Sequence, residues 1–423
     1  MNFLHASLAA VVCLCMATHS WGAQLTLADA LSKRASASWT LKIATIDEQI
    51  AVDNVQANRS GYLPRVDIQT GYTAQQVPQS MSTPFGTLAT QDADYGFLSL
   101  GITQTLYDFG RTDARYARAK ASREATSIGY KYQEQNLFLQ TVSSYFQILQ
   151  GQKLLKAADE EIEQMTDHLR VAQVLFEEGV VTRNNLLQAE VQLARSKQRR
   201  LEVASRLDNA WLDLNNQIGD PPESRKELVE DTRINLTDLD KPAQNAVAGR
   251  AEIQAQRKLL EAGELEIKET KTGYYPEIFA KAGLDYLQND KVKEQTIMAA
   301  TIGLKVNLFD GYATTSRISQ AVKNRSRTNE RLHQMESDFA LEYRTAVNDV
   351  KVAKERISVT DSAIKQGEEN LRINKDRYQE QVGTATDVID AQTLLTQIRT
   401  EHYQAVFDYE MAMARVKRAR GEL

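Results

Sequence analysis

Cysteine is almost absent: of 423 residues only Cys13 and Cys15 carry a thiol, and both sit in the first apolar run. The remainder of the chain can therefore build no disulfide framework, thiolate metal site or thiol nucleophile. Proline is scarce as well, with seven, at positions 64, 78, 84, 221, 222, 242 and 276. None lies between Tyr107 and Asp220 and none follows Pro276, which leaves two long tracts without a helix breaker. No later stretch has the roughly 18 uncharged apolar residues that a membrane-crossing helix needs. Charge of one sign is lacking too, since 51 basic and 56 acidic residues are interspersed to a net −5, and no nucleic-acid footprint appears. His168, His333 and His402 lie far apart in helical sequence and offer no metal-ligand or catalytic spacing. With no phosphate-cradling glycine loop either, the residues give no reason to expect an enzyme or a cofactor.

What is there is one plan stated twice. Ile148, Gly151, Leu155, Ala158, Ile162, Met165, Leu169, Ala172 and Phe176 step by three and four residues. Val350, Ala353, Ile357, Thr360, Ile364, Gly367, Leu371, Asn374 and Tyr378 repeat the stripe 202 positions later without a slip (350 less 148). Such alternation averages about 3.5 residues, the seam of supercoiling helices. One helix over 111–176 would run about 100 Å at 1.5 Å per residue, and it needs neighbours along its length.

Ahead of each long helix lies a period-two segment pair. Val66, Ile68, Thr70 and Tyr72 share one face, and Leu98, Leu100, Ile102, Gln104 and Leu106 another, around a Pro- and Gly-containing loop from Gln75 to Asp94. Ile278, Ala280, Ala282, Leu284 and Tyr286 are followed, after a short polar turn, by Met298, Ala300, Ile302, Leu304, Val306 and Leu308. Ser60-Gly61-Tyr62-Leu63-Pro64 matches Thr272-Gly273-Tyr274-Tyr275-Pro276, an offset of 212 that falls to 202 beyond the loops. The first loop is thus about ten residues longer. Each strand has roughly the 9–11 residues of a tilted membrane strand. Four strands cannot close a barrel, and an open sheet in lipid leaves its edges unmet. Periodicity alone leaves two readings: membrane strands shared among several chains, or soluble hairpins packed on a helical body.

The predicted layout is a signal peptide over 1–22, a first repeat over 23–220, a connector over 221–243 and a second repeat over 244–423. The first repeat has its hairpin at about 64–107, its long helix at about 111–177 and a returning helix at about 183–219. The second has them at about 276–309, 313–380 and 386–420. The leader reading rests on the apolar run Leu8 to Ala17, with cleavage near Gly22 or Ala23. Valine and leucine precede the two cysteines, so no lipid-attachment motif is formed. Trp39 and Trp211 read as helix-packing residues. Tyr62, Tyr72, Tyr107, Tyr274, Tyr275 and Phe309 flank the strands, as an interfacial girdle or as core.

The doubled order of helix, Gly-Tyr-x-Pro, strand pair, Leu-[Tyr/Phe]-Asp, long helix, turn and returning helix resembles the TolC family of outer-membrane efflux and secretion channels. Tyr378-Gln379-Glu380-Gln381-Val382-Gly383-Thr384 with Asp387 to Ala391 is similar to that family's second periplasmic turn, and Arg250-Ala251-Glu252 to the marker opening its second repeat. The resemblance implies a mainly α fold with a membrane β-barrel part. In it a homotrimer forms a twelve-stranded composite barrel in the outer membrane of a Gram-negative cell, continued by a long periplasmic coiled-coil barrel. It implies a passive exit duct for efflux or type I secretion, joined by a periplasmic adaptor (membrane fusion) protein to an inner-membrane pump or ABC exporter.

The resemblance also implies site residues, each with a plainer alternative. Asp387 and Asp390 would ring the periplasmic constriction, or be ordinary acids at a helix start; the first repeat has Asn185 and Gln188 there. Tyr378 would help hold the tunnel shut, or only complete the seam. The family's gate arginine is missing, because Gly383 stands in its place. Gly179, Val382, Gly383 and Thr384 would meet the adaptor, or merely end helices through glycine's left-handed freedom. The rival to the channel is a soluble periplasmic coiled-coil adaptor or scaffold without a pore.

Overall fold

The structure, a computed structural model, describes residues 24–230 and 242–423. The expected leader with its two cysteines, and much of the expected connector, lie outside the described residues. In chain order the elements are α1 (Leu27–Ala37), α2 (Trp39–Arg59), β1 (Arg65–Ala74), β2 (Ser80–Thr83), β3 (Gly86–Ala89), β4 (Asp94–Tyr107), α3 (Arg111–Glu177) and α4 (Arg183–Ile218). They continue with α5 (Ala243–Val247), α6 (Ala251–Lys271), β5 (Glu277–Leu287), β6 (Thr296–Lys305), α7 (Ala313–Gln379) and α8 (Ala385–Arg420). The repeat is metrically close: α2 and α6 have 21 residues each, α3 and α7 67, and α4 and α8 36. No described helix is long and apolar enough to cross a membrane.

Two compact units interleave the repeats. One takes the described part of Met1–Ala37, Thr141–Ile234 and Thr360–Phe407; the other takes Ser38–Gln140, the described part of Asn235–Val359, and Asp408–Leu423. The second unit holds a four-stranded antiparallel sheet in the order β1-β4-β5-β6. The loop between β1 and β4 is itself structured. Thr83-Pro84-Phe85-Gly86 turns β2 back on β3 as a two-stranded ribbon, with Gly86 at φ 128. That four-residue turn is the signal that a reading of the whole stretch as loop passes over. Strand β6 stops at Lys305, so the predicted strand residues Val306 and Leu308 lie past its last pair and are exposed.

Each strand pair hands over to its long helix through the same junction. The Asp108 carboxylate accepts from the Thr112 N–H (2.8 Å) and hydroxyl (2.6 Å), and Asp310 accepts from Thr314 in the same way (2.9 and 2.6 Å). These carboxylates satisfy N–H groups that the first helical turn leaves open. Two consecutive residues there have positive φ: Phe109 (56) and Gly110 (87) in one repeat, Gly311 (64) and Tyr312 (68) in the other. The Gly-Tyr-x-Pro motif seals the joint. A Cβ on Gly61 would lie 3.0 Å from the Thr112 methyl, and one on Gly273 3.1 Å from that of Thr314. Tyr62 donates to Asp113 (2.6 Å), and Tyr274 bonds Thr315 (2.7 Å).

The Arg250-Ala251-Glu252 marker is a buried clamp in the same unit. Arg250 donates to Glu252 (2.6 Å) and Glu342 (2.7 Å) and lies 3.7 Å over the Phe339 ring, while Arg418 of α8 donates to the same Glu252 oxygen (2.6 Å). In the other unit the seams close as their thin composition requires. A Cβ on Gly151 would come within 3.0 Å of Leu207, and one on Gly367 within 3.3 Å of Leu395. Trp211 is buried there, whereas Trp39, read as packing, is 76% exposed on α2 with the Lys42 ammonium 4.4 Å over its ring. The misreading is physical: α2 has an apolar stripe of Trp39, Ile43, Ile46 and Ile50, but nothing within the described chain covers it.

Candidate functional site: a two-faced sheet and two helical turns

Directly opposed residues of an antiparallel sheet share a face, so the pairing fixes what each side presents. Ile68 opposes Leu100, which opposes Leu284, which opposes Met298; Val66, Ile102, Ala282 and Ala300 form the next row. Between these rows Asp67, Gly101, Gly283 and Ala299 point the other way, followed by the row of Arg65, Thr103, Lys281 and Thr301. One face is mainly apolar, interrupted by Thr70, Gln104 and Thr296, and the other is mainly polar. On the polar side Arg65 pairs with Asp67 (2.9 Å), Ser99 donates to Asp285, and Arg111 reaches Glu277 (3.2 Å). Aromatic rings on that side lie down instead of standing up. A Cβ on Gly71 would be 2.7 Å from the Phe97 ring, and one on Gly303 2.5 Å from that of Phe279. Glycine in the neighbouring strand makes the bed for each ring, and this keeps the polar face low.

Nothing in the described chain covers the apolar face: Ile68 is 71% and Ile302 77% exposed. Each such side chain forgoes roughly 1.5–3 kcal/mol of burial in water. The six flanking aromatics are likewise exposed, which removes core packing within the chain as their explanation. The outer edges of β1 and β6 have no strand partner among the described residues. The sheet is open at both ends and apolar on one side.

The helical turns form the second surface. After α3, Val180 N–H donates to Leu175 C=O (2.8 Å) and Gly179 N–H to Phe176 C=O (3.0 Å), with Gly179 at φ 78. After α7, Val382 N–H donates to Arg377 C=O (2.9 Å) and Gln381 N–H to Tyr378 C=O (3.1 Å), with Gln381 at φ 61. Both are Schellman turns. In the second, however, the left-handed residue is Gln381, so the helix-stop reading of glycine holds at Gly179 and not at Gly383. Gly383 answers a different demand, since a Cβ there would be 3.1 Å from Arg377 Cβ and 3.2 Å from Tyr378 N.

Beyond the turn, Thr384 and Asp387 bond reciprocally: Thr384 N–H donates to the Asp387 carboxylate (2.9 Å) and Asp387 N–H to the Thr384 hydroxyl (3.2 Å). This is a capping box, legible as Thr-x-x-Asp in the sequence. The Thr384 backbone N–H first, then its side chain, holds the Asp387 carboxyl below the usual range. Asp390, one turn on, is exposed with Asp387.

Tyr378 is 4% exposed, in a core of Leu175, Leu371, Ala385, Val388, Ala391 and Leu395. Its ring lies 5.4 Å from that of His168 on α3, which is 5% exposed, and neither the Tyr378 hydroxyl nor His168 Nε2 has a hydrogen-bond partner. The sequence offers His168 no metal-ligand or catalytic spacing, and the structure packs it in the core, three residues past Met165 of the seam. Among the described residues no group of histidines and acids is placed to hold a metal.

Comparison with known proteins places this geometry. The profile described as "Outer membrane efflux protein" matches residues 30–220 and 243–422. The chain is 24% identical to the outer membrane protein TolC of Vibrio cholerae over 94% of its own length and 95% of the relative's. It is 23% identical to the proteases secretion protein PrtF of Dickeya chrysanthemi over 79% and 75%. The crystal structure of the outer membrane protein VceC from Vibrio cholerae superposes with a TM-score of 0.82 at 16% identity, covering 93% of this chain and 96% of that one. These matches favour a channel over a soluble scaffold. The family model spans most of the chain, and by it the chain belongs to the outer membrane efflux protein family, whose members are exit ducts of the outer membrane and not enzymes.

Proposed function

We propose that three copies of this chain unite their four-stranded sheets into one twelve-stranded barrel in the outer membrane, lined by the polar face. The observation that carries this is the open sheet with an exposed apolar face. Neither water nor lipid tolerates it alone, because lipid leaves its edge N–H and C=O groups unsatisfied and water meets its apolar side. Pairing the β1 edge of one copy with the β6 edge of the next resolves both. The helices continue the lumen on the periplasmic side, and solutes pass through without chemical change. At the turn end Asp387 and Asp390 form acidic rings that draw cations to the constriction, and Tyr378 packs the closed end.

The turns at Gly179 and at Val382, Gly383 and Thr384 dock a periplasmic adaptor (membrane fusion) protein, which connects the duct to an inner-membrane pump or an ABC exporter. Likeness to a protease secretion protein supports a secretion role as much as efflux. The test is assembly. Protein extracted from outer membranes in mild detergent should have the cross-linked mass of three chains and give discrete conductance steps in planar bilayers. A water-soluble monomer that makes no pore would overturn the reading.

A further inference from the structure

Two buried polar groups meet in the turn-end core with no bond to satisfy either of them. Burial of an unpartnered group is costly, and His168 can also acquire charge near physiological pH. We propose that the His168–Tyr378 contact is an acid-released latch: neutral His168 lets the second hairpin seal against the first at the turn end, and its protonation parts them.

Burial and a neighbouring cation favour the neutral ring at His168. From α7 it faces the Tyr378 ring and the Lys375 ammonium. On α8 the neighbouring core positions are Val388, Ala391 and Leu395. The α8 acids Asp387 and Asp390 are exposed, as is Glu190 of α4. Buried positions of α4 along this stretch are Ala189, Leu193 and Ser196. On its own helix, Glu161 is already held by Arg199 at 3.0 Å and by Ser196 at 2.9 Å. Asp167, next to it in the chain, is exposed and lies 3.7 Å from Arg170, and no carboxylate bonds His168 Nε2. Burial first, and the Lys375 charge second, push the His168 pKa below its ordinary value of 6.5.

The sign follows from linkage. A histidine whose pKa is depressed in the closed state binds more protons when the hairpins part. Closure is therefore undisturbed above the open-state pKa, near 6.5, and is progressively lost as pH falls below it. Tyr378 does not compete, because burial raises its pKa.

Spin labels on Val180→Cys and Val382→Cys, one on each exposed turn, would read the separation in the full-length reconstituted protein. The only other cysteines are Cys13 and Cys15. Between pH 7.5 and 5 the ratio of wide to narrow separations should rise, by at most about thirtyfold, because pH 5 lies only about 1.5 units below the open-state value. His168→Phe, which keeps the packing and cannot titrate, should abolish the response. Lys375→Met, which removes one cause of the depressed closed-state pKa, should weaken the response and shift release to lower pH. Unchanged distances in the parent chain, or the same acid response in His168→Phe, would overturn the latch. The consequence for conduction rests on reading this end as the gate. Labels that part in acid while conductance stays constant would refute the gate and leave the latch standing.

Discussion

At Gly179 the first hairpin turns on a glycine with open space beside it; 202 residues later, at Gln381, the second makes the same hydrogen-bonded turn on a side chain. The residues around the two turns have parted in chemistry. Phe176 is the counterpart of Tyr378, yet Phe176 is partly exposed and Tyr378 buried. Thr182 precedes α4 without a side-chain cap bond, whereas Thr384 and Asp387 close a capping box before α8. Asn185 and Gln188 stand where Asp387 and Asp390 carry charge. Duplication supplied one backbone, and the second copy became the anchored, acidic one. A helix stop tolerates such divergence because its hydrogen bonds run through main-chain atoms.

Removing the buried ring should separate the turns most. Tyr378→Ala is expected to lose about 3–5 kcal/mol of the stability of this core, as large aromatic truncations do, while Phe176→Ala should lose well under half of that. Denaturant melts followed at the turn end would compare them, and equal losses would erase the distinction. Next in size is the left-handed position. Gly179→Ala should cost about 1 kcal/mol and Gln381→Gly should gain somewhat less, since only glycine occupies that region freely; hydrogen exchange at the two turns reads both.

Third comes the cap. Thr384→Ala should cost about 1 kcal/mol and Thr182→Ala a small fraction of it. The Asp387 part of this stabilisation is present above the ordinary aspartate range and is lost as pH falls through its lowered pKa. Asp387→Asn should flatten that acid limb in a melt series. The smallest effect on stability and the most specific on conduction belongs to charge. Asp387→Ala with Asp390→Ala should weaken block by multivalent cations in single-channel recordings. Placing Asp at positions 185 and 188 should strengthen it only if both turns line the same constriction.

Most of the architecture was legible because it is periodic. A step of three and four over 67-residue helices, and alternation over strands of 10 to 14 residues, identify the element types, although they left open whether the strands meet lipid or a helical body. The ribbon of β2 and β3 was not, since four-residue strands carry no measurable period. Trp39 shows a second limit: a stripe announces that something is buried against it without saying whether the same chain supplies it. At the turns, Gly179 was readable from residue type, but Gln381 was hidden because nothing in glutamine announces a positive φ. His168 escaped for a related reason. Its neighbour Tyr378 lies 210 residues away, and only the packing of two hairpins brings them together.

The elbow between sheet and long helix sets where this chain can change in length. One residue more between Asp108 and Arg111 would rotate everything downstream by about 100° and turn the whole seam away from its neighbours. The ten-residue difference between the halves accordingly falls in the loops at the far end of the strands, where the offset drops from 212 to 202. Between the two halves, then, the length differs in those loops and not at the elbow, where the phase of the long helix is set.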